Sequence, residues 1–274
     1  MKSIDFSESF ICIELEVYSD IVMEYLERIG VQKDRLGRDL GSMKILQRNH
    51  LLKVPFENLD IHWKRPIVLD TEKFYEKIVV KGRGGFCYEL NGSFNELLKG
   101  LGFETYLVSA RVFSGVEKGH GQEFDHAAII VRLEGERYLV DVGFGAFTTE
   151  PLRFVLDEEQ NDPSGTFMMR KRVDDYFEVM KRQDGIWRSE YIFKDVPREL
   201  SEFAEMCDFQ QYSPGSHFRK GKLCSIMTED GRKTLTDKSF IVTSQNEKTE
   251  HPVVSDADFY SLLQTEFSIV AERI

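Results

Sequence analysis

The spacing of apolar residues changes along this chain, from a helical period before about Gly102 to a period of two after it. Apolar side chains recur at three- and four-residue steps from Tyr18 to Ile29 and again from Phe86 to Leu101, which is the pattern of amphipathic helices. Between Glu104 and Ile192, short β-branched and aromatic runs alternate with turn residues and predict an antiparallel sheet or small barrel. Helices followed by strands indicate the α+β class.

Weaker signals complete the predicted architecture. Ser42 is the expected cap of a short second helix, and Thr71–Val80 is expected to form another. The clearest strands are expected at Thr105–Val108, His126–Leu133, Arg137–Val142 and Tyr176–Lys181. After Pro197 the expected elements are a helix at Glu199–Met206, a loop at Ser213–Ser216, strands at Leu223–Met227 and Phe240–Thr243, and a helix from Asp256. We therefore expect up to three subdomains, over residues 1–102, 103–196 and 197–274.

The charge of the chain limits its partners. Thirty-six Lys and Arg residues against 47 Asp and Glu give a net charge of −11, so no global positive field attracts nucleic acid or anionic lipid. No run of 18 apolar residues is present, and we expect no membrane span. The first residues lack the basic start and apolar stretch of a signal peptide. An anionic ligand therefore needs a local site.

The cysteines are few and widely spread. The chain has four, without a CxxC pair, which predicts neither a disulfide framework nor a zinc ribbon, and no metal site is expected. A reduced cytoplasm fits this usage best. Cys12, Cys207 and Cys224 lack a glycine-rich setting and are expected to be buried and unreactive.

Cys87 lies in the most informative segment, Arg83–Asn91. Two glycines precede it, and they permit a tight turn and close approach of a substrate. Cys87 then falls in the first turn of a predicted helix, where free amides and partial positive charge favour a thiolate and can stabilise an oxyanion. A lone cysteine is more often an inert core residue, so other residues must decide.

A predicted hairpin supplies a base and a carboxylate. If Glu134-Gly135 is a two-residue loop, Leu133 lies opposite Glu136. His126 and Asp141 then share one face of the sheet, in diagonal positions about 7–8 Å apart, within reach of each other's side chains. A three-residue loop would place them on opposite faces. Cys87, His126 and Asp141 could therefore act as nucleophile, base and orienting carboxylate.

At this point the sequence resembles the arylamine N-acetyltransferases. Five stretches match that family in order and are spread over most of the chain: Val54–Leu59, Arg83–Asn91, His126 with its apolar strand, Val140–Gly145 and Ser213–Phe218. The resemblance implies a helical bundle over 1–102, a central antiparallel β-barrel over 103–196 and a C-terminal α/β lid over 197–274. It also implies that Cys87, His126 and Asp141 form a cysteine-protease-like catalytic triad.

The resemblance further implies a ping-pong reaction. Acetyl-CoA would acetylate Cys87, CoA would leave, and an arylamine, arylhydrazine or N-hydroxyarylamine would take the acetyl group. Phe56 and Phe144 match aromatic positions of the family and are candidates for the substrate-binding wall, with ordinary core packing as the alternative. Glu57 and Arg83 resemble the family's buried acid–base pair and are interpreted as scaffold.

A polyanionic donor such as CoA needs positive charge. Between Gln211 and Phe240, six basic residues stand against three acidic ones. This segment, with Ser213 and Ser216, is the candidate CoA-binding site, although a solvated charged surface is the alternative for any one lysine.

Three other functions remain open. The order Cys, His, Asp also occurs in amidases and peptidases, although the context of Cys87 departs from the papain-type signature. A related acyltransferase that closes amide bonds in natural-product synthesis would share these motifs. A non-catalytic binding protein is the third alternative. The sequence leaves the oligomeric state and the physiological acceptor open.

Overall fold

Seven α-helices and two antiparallel sheets make up the residues described by this computed structural model, 20–245 and 247–270. The helices are α1 (20–29), α2 (Leu40–Lys53), α3 (Leu59–His62), α4 (Thr71–Tyr75), α5 (Cys87–Gly100), α6 (Ala204–Tyr212) and α7 (Asp256–Phe267). Among these described residues, no helix combines the length and apolar character needed to cross a bilayer.

Most helices lie where the apolar spacing predicts them. The helix predicted over 71–80 is confirmed, but its second half, Glu76–Val80, is a π-helical turn. The Ser42 cap is wrong: α2 begins at Leu40, and Asp39 caps it by accepting a 2.8 Å hydrogen bond from the Ser42 amide. A carboxylate three residues before an amide meets the geometry of an N-cap. The helix is therefore longer, at 14 residues, than the short one expected.

The strands form a large and a small sheet. They are β1 (Phe56–Glu57), β2 (Glu104–Val112), β3 (His126–Leu133), β4 (Glu136–Val140), β5 (Leu152–Arg153), β6 (Gln160–Asp162), β7 (Gly165–Lys171), β8 (Phe177–Gln183), β9 (Ile186–Phe193), β10 (Leu223–Thr228), β11 (Gly231–Thr236), β12 (Ser239–Ser244) and β13 (Glu247–Pro252). The eight-stranded order is β5-β4-β3-β2-β9-β8-β7-β6, and the five-stranded order is β1-β10-β11-β12-β13.

The eight-stranded sheet curls into a nearly closed barrel. At its open edge, Gln160 on β6 accepts a hydrogen bond from the Arg153 amide and donates one to the Arg153 carbonyl, at 2.8 and 2.9 Å. Leu156 adds an isolated bridge to Met169. These contacts satisfy polar groups that an open edge would expose. Aromatic side chains, including Phe147, Phe167, Tyr191 and Phe193, fill the barrel.

The five-stranded sheet joins the two ends of the chain. Phe56 on β1 pairs with Ser225 on β10, and the Leu223 amide donates a 2.7 Å hydrogen bond to Asn58 Oδ1. Helix α7 packs its apolar face against this sheet. The C-terminal strands therefore extend a sheet that begins in the N-terminal part of the chain. Helix α5 packs against β2 and β3 of the barrel and so lies between the helical part and the barrel.

Candidate active site

The β3–β4 hairpin brings His126 and Asp141 together. Its predicted register is confirmed, since Leu133 pairs with Glu136 and Ile129 with Val140. Asp141 directly follows β4, and its Oδ2 lies 2.7 Å from Nε2 of His126. Both residues are buried. Because Nε2 contacts the carboxylate, Nδ1 is the ring nitrogen left for another partner.

The Asp141 carboxylate accepts four hydrogen bonds. Oδ2 accepts from His126 and from the Tyr191 hydroxyl at 3.1 Å. Oδ1 accepts from the Asn91 side chain and from the Gly143 amide, both at 2.9 Å. A buried carboxylate needs such partners because its charge is costly to remove from water. The four bonds fix both oxygens and therefore the imidazole that contacts one of them.

Asn91 is a site residue that the sequence reasoning missed. It lies four residues after Cys87, on the same face of α5. Its Nδ2 donates to the Ala127 carbonyl at 2.6 Å and to Asp141, and its Oδ1 accepts from the Val142 amide at 2.9 Å. The i, i+4 spacing from the cysteine was the available signal. Tyr191, from β9, carried no comparable signal because its partner lies 50 residues away.

Cys87 begins α5 and is 3% exposed. A Cβ built on Gly143 would lie 2.9 Å from the Cys87 Cα, so only glycine permits this close approach of the loop after Asp141. The expectation that Gly84-Gly85 admits a substrate is wrong. A Cβ on Gly84 would lie 1.9 Å from the Pro55 carbonyl oxygen, and this glycine makes room for the backbone that leads into β1.

The surroundings of Cys87 oppose an isolated thiolate. Burial raises the pKa of its thiol well above the usual value, and the charge of Asp125 raises it further, whereas a hydrogen bond from the Ala127 backbone lowers it. Burial and Asp125 therefore act against the effect expected of the helix N-terminus. A thiolate here needs a group that balances its charge, and the His126 imidazole lines the same cavity.

A buried cluster of charges lies beneath the start of α5. Lys77, on the π-helical turn, contacts Asp60 and Glu89 at 2.8 Å, and Arg83 contacts Glu57 and Asp60 at 2.6 Å. Glu89 also accepts a 3.0 Å hydrogen bond from the Phe86 amide, just before Cys87. The pairing of Glu57 with Arg83 agrees with their interpretation as scaffold, and Lys77 and Asp60 extend the pair into a network.

A cavity of about 410 Å³ opens beside Cys87. Cys87, His126, Phe56 and Phe144 are among the residues that line it. The Phe144 ring packs edge-on against the His126 ring, with centroids 5.1 Å apart. The structure therefore brings the three candidate triad residues and both candidate aromatic residues to one place.

Asp125 and His217 also line this cavity and were not predicted. Burial raises the pKa of Asp125, which accepts a 2.8 Å hydrogen bond from the Gln210 side chain. The position of Asp125 directly before His126 was a signal that could have been used. His217 follows α6 and lies within Ser213–Phe218, the last of the five family-matching stretches, which was the available signal.

The candidate CoA residues lie elsewhere. Ser213 and Ser216 are absent from the described residues that line the catalytic cavity. Ser216 is buried, and its hydroxyl donates to Gln210 at 2.8 Å, so it is an internal contact and not an open ligand site. Of the six basic residues between Gln211 and Phe240, Arg232 lines this cavity. Lys222 and Lys233 form ion pairs with Asp256 and Glu266, respectively.

The other cysteines take no part in this arrangement. Cys207 and Cys224 are buried, as expected, and are free thiols. Burial raises the pKa of both. Cys12 lies outside the described residues.

Comparisons with known proteins agree with this geometry. The family model described as N-acetyltransferase matches residues 39–274. The arylamine N-acetyltransferase pineal gland isozyme NAT-10 from Gallus gallus is 32% identical over 273 residues, which are 91% of this chain and 94% of that protein. The structure of arylamine N-acetyltransferase from Salmonella typhimurium has a TM-score of 0.86 at 29% identity over 91% of each chain. The Mycobacterium marinum arylamine N-acetyltransferase in complex with CoA has a TM-score of 0.83 at 26% identity, over 90% of this chain and 92% of that one. This chain therefore belongs to the arylamine N-acetyltransferase family.

Proposed function

We propose that this protein transfers the acetyl group of acetyl-CoA to an arylamine, an arylhydrazine or an N-hydroxyarylamine through a thioester on Cys87. One observation carries the proposal. Cys87, buried at a helix N-terminus, lines the same cavity as His126, and the imidazole of His126 is held by the Asp141 carboxylate, which accepts four hydrogen bonds. Nucleophile, base and orienting group are the set that acyl transfer through a covalent intermediate requires.

The first half-reaction loads the cysteine. Nδ1 of His126 takes the proton of the Cys87 thiol, and Sγ attacks the acetyl carbonyl carbon of acetyl-CoA. The bond between that carbon and the CoA sulfur breaks. The CoA thiolate takes the proton from the imidazolium and leaves as the free thiol. Since a lone thiolate at Cys87 is disfavoured by burial, proton transfer to His126 and attack are expected to be closely linked.

The second half-reaction transfers the acetyl group from Cys87 to the acceptor. The amine nitrogen of the acceptor attacks the thioester carbon, and the bond from that carbon to Sγ breaks. His126 takes a proton from the attacking nitrogen and returns one to Sγ. In both halves a negative charge develops on the carbonyl oxygen, and unpaired amides of the first turn of α5 are suited to stabilise it.

Asp141 maintains the geometry through both halves. Its hydrogen bond to Nε2 keeps that nitrogen protonated and leaves Nδ1 free to accept the thiol proton. Its charge stabilises the imidazolium that forms transiently. Asn91 and Tyr191 act through Asp141 and are positioning residues.

The cavity walls favour an aromatic amine over water. Phe56 and Phe144 present aromatic surface beside Cys87, and such surface stacks well on a planar ring. The use of CoA is supported by the CoA complex of the Mycobacterium marinum relative. Ser213, half-buried after α6, stays a candidate contact for the donor, whereas the hydroxyl of Ser216 is already used within the protein.

Intact-mass spectrometry tests the proposal. Incubation with acetyl-CoA should add one acetyl group to the protein, and an arylamine such as aniline, or an aromatic hydrazide, should then remove it. Cys87→Ala should not be labelled, whereas Cys207→Ala, which alters another buried cysteine, should be labelled like the wild type. Absence of acetylation in the wild type, or undiminished labelling of Cys87→Ala, would overturn the mechanism.

A further inference from the structure

Arg232 places a cation in the wall of the catalytic cavity. It lies on β11, two residues before Thr234, so both side chains project from the same face of the sheet. Both line the cavity that contains Cys87. Lys233, between them, projects from the opposite face and forms a 2.8 Å ion pair with Glu266 of α7. Because side chains alternate between the two faces of β11, Arg232 faces the cavity and Lys233 faces helix α7 on the other side of the sheet.

The Arg232 guanidinium has no carboxylate partner among the residues that the structure describes. Burial lowers its pKa. Arg83 shows the opposite behaviour: burial lowers its pKa too, but Glu57 and Asp60 outweigh that effect and raise it. A half-buried cation without an anion is costly, and chains retain such an arrangement where a ligand completes it.

Neutral groups hold the guanidinium in place. It donates to Ser225 Oγ at 3.1 Å and to the Gly145 carbonyl at 2.7 Å. Ser225 in turn shares a 2.8 Å hydrogen bond with Thr234. A guanidinium carries five N–H donors, so these two bonds leave donors for another group. The geometry is fixed, while the positive charge is not neutralised.

The guanidinium is also near the nucleophile. Gly145, which it contacts, is two residues from Gly143, and consecutive Cα atoms are about 3.8 Å apart. Gly143 packs directly on Cys87. The aromatic ring of Phe144 lies on the loop between these two glycines and lines the same cavity. A planar ligand can therefore place one end at Cys87 and the other at Arg232.

We propose that Arg232, with Ser225 and Thr234, forms a carboxylate-recognition site in the catalytic cavity and gives the enzyme a preference for substrates that carry a carboxylate beyond the reacting group. The inference rests on the proposed acetyl transfer and deepens it by naming a substrate class. A guanidinium binds a carboxylate through two parallel hydrogen bonds. Lys181, another cation close to Arg232, lines a neighbouring cavity and not the one that contains Cys87. Within the catalytic cavity, one guanidinium flanked by two hydroxyls matches a single carboxylate better than the several charges of CoA.

Two substrates can carry that carboxylate. It can be a substituent of the aromatic amine, as in 4-aminobenzoate, or the far end of the acyl group, as in malonyl-CoA. A phosphate of CoA is the competing occupant. The experiment therefore compares Arg232→Met, Arg232→Lys and the matched control Lys233→Met, each checked by thermal unfolding and by acetylation of Cys87 with p-nitrophenyl acetate, a donor without phosphate.

In the amine arm, p-nitrophenyl acetate is the donor, and 4-aminobenzoate is compared with neutral 4-aminobenzamide. In the acyl arm, malonyl-CoA is compared with acetyl-CoA, with 4-aminobenzamide as the acceptor. Arg232→Met should lower kcat/KM for the carboxylate substrate of one arm by about 10- to 100-fold and change its neutral counterpart by less than about threefold. Arg232→Lys should lose less, since it keeps the charge but not the paired donors. Lys233→Met should behave as the wild type.

Three results would overturn the inference. In the first, Arg232→Met lowers kcat/KM equally for charged and neutral substrates. In the second, it lowers kcat/KM for neither. In the third, it slows only the reactions of CoA thioesters relative to p-nitrophenyl acetate, which would assign the guanidinium to a phosphate of CoA. Calorimetric binding of 4-aminobenzoate and of malonate to unacetylated wild type and Arg232→Met requires no turnover. If the wild type acetylates no amine, the proposed function fails, but this binding comparison still decides the role of Arg232. Weaker binding of either carboxylate by Arg232→Met supports the carboxylate site. Equal binding of both carboxylates by the two proteins overturns it.

Discussion

The side-chain amide of Asn91 donates a 2.9 Å hydrogen bond to Oδ1 of Asp141, although 50 residues separate them in the chain. Because Asn91 lies on the same face of α5 as Cys87, one helix carries both the proposed nucleophile and a residue that holds the proposed orienting carboxylate. The proposed base, His126, lies on β3, so this hydrogen bond fixes the position of Asp141 relative to the helix that carries Cys87.

Replacing Asn91 should impair catalysis more than binding. Asn91→Ala removes hydrogen bonds to Asp141, Ala127 and Val142. We expect kcat for arylamine acetylation to fall by about 10- to 100-fold with little change in KM. The matched control is Asn95→Ala, one turn further along α5, where a buried asparagine accepts a 2.9 Å hydrogen bond from Thr105. Equal losses of kcat in Asn91→Ala and Asn95→Ala would show that Asn91 contributes to the stability of α5 and has no specific role in positioning Asp141.

Asp141→Asn should leave a folded but nearly inactive protein. The amide is nearly the same size, but it cannot hold His126 in the tautomer that accepts the thiol proton. We expect the rate of Cys87 acetylation to fall by about 10²–10⁴-fold, measured by rapid quench and mass spectrometry. Circular dichroism should match the wild type. Acetylation within about threefold of the wild-type rate would exclude Asp141 as the orienting group.

Two substitutions should shift the reactivity of Cys87 in opposite directions. Asp125 raises the pKa of the Cys87 thiol, so Asp125→Asn should lower that pKa and move the pH profile of iodoacetamide alkylation to lower pH. His126→Asn removes the group that can balance a thiolate, so it should move the profile to higher pH. Peptide mass mapping separates Cys87 from the other three cysteines, Cys12, Cys207 and Cys224. Shifts in the same direction would contradict this description.

Removing Lys77 should destabilise the protein in a pH-dependent way. Lys77→Met leaves Glu57, Asp60 and Glu89 with one cation, and breaking a buried ion pair costs about 3–5 kcal/mol of unfolding free energy. Burial raises the pKa of Glu89, with Lys77 opposing that rise, so loss of Lys77 should raise it further. A carboxyl whose pKa is raised on folding favours the folded state when protonated, and that advantage is lost as the pH rises through the folded pKa.

The deficit of Lys77→Met should therefore be smaller at pH 5 than at pH 8. Urea unfolding of the variant and the wild type at both pH values measures it. Lys73→Met, one turn earlier at an exposed position, should change stability by less than about 0.5 kcal/mol. A deficit that is the same at both pH values would mean that no carboxyl of the cluster takes up a proton.

Local patterns predicted much of the fold because they depend on neighbouring residues. The two-residue loop at Glu134-Gly135 determines which side chains of β3 and β4 face each other, and that arithmetic led directly to the contact between His126 and Asp141. Helix α5 was also predicted correctly, from the spacing of its apolar residues. The Ser42 cap failed because α2 begins before Ser42, at Leu40, and Asp39 caps it by accepting from the Ser42 amide.

Distant contacts could not be predicted in this way. Gly84 packs against the Pro55 backbone, so a glycine is needed there for close packing of two chain segments and not for access of a substrate. Ser216 appeared to be a ligand contact because nothing local reveals its bond to Gln210. Arg232 was one of six basic residues in a segment, and only the register of β11 with its neighbours places it in the cavity.

The pairing of β1 with β10 has a consequence for how the enzyme matures as it is synthesised. The hydrogen bond between Asn58 and Leu223 spans 165 residues, and β10 and β11 supply Ser225, Arg232 and Thr234 to the cavity wall. A growing chain that has already released α5 from the ribosome carries its nucleophile but lacks that wall, since synthesis delivers the N-terminal part first. A chain truncated before β10 would thus retain the apolar residues that pack around Cys87 but would lack the part of the cavity wall that Ser225, Arg232 and Thr234 form.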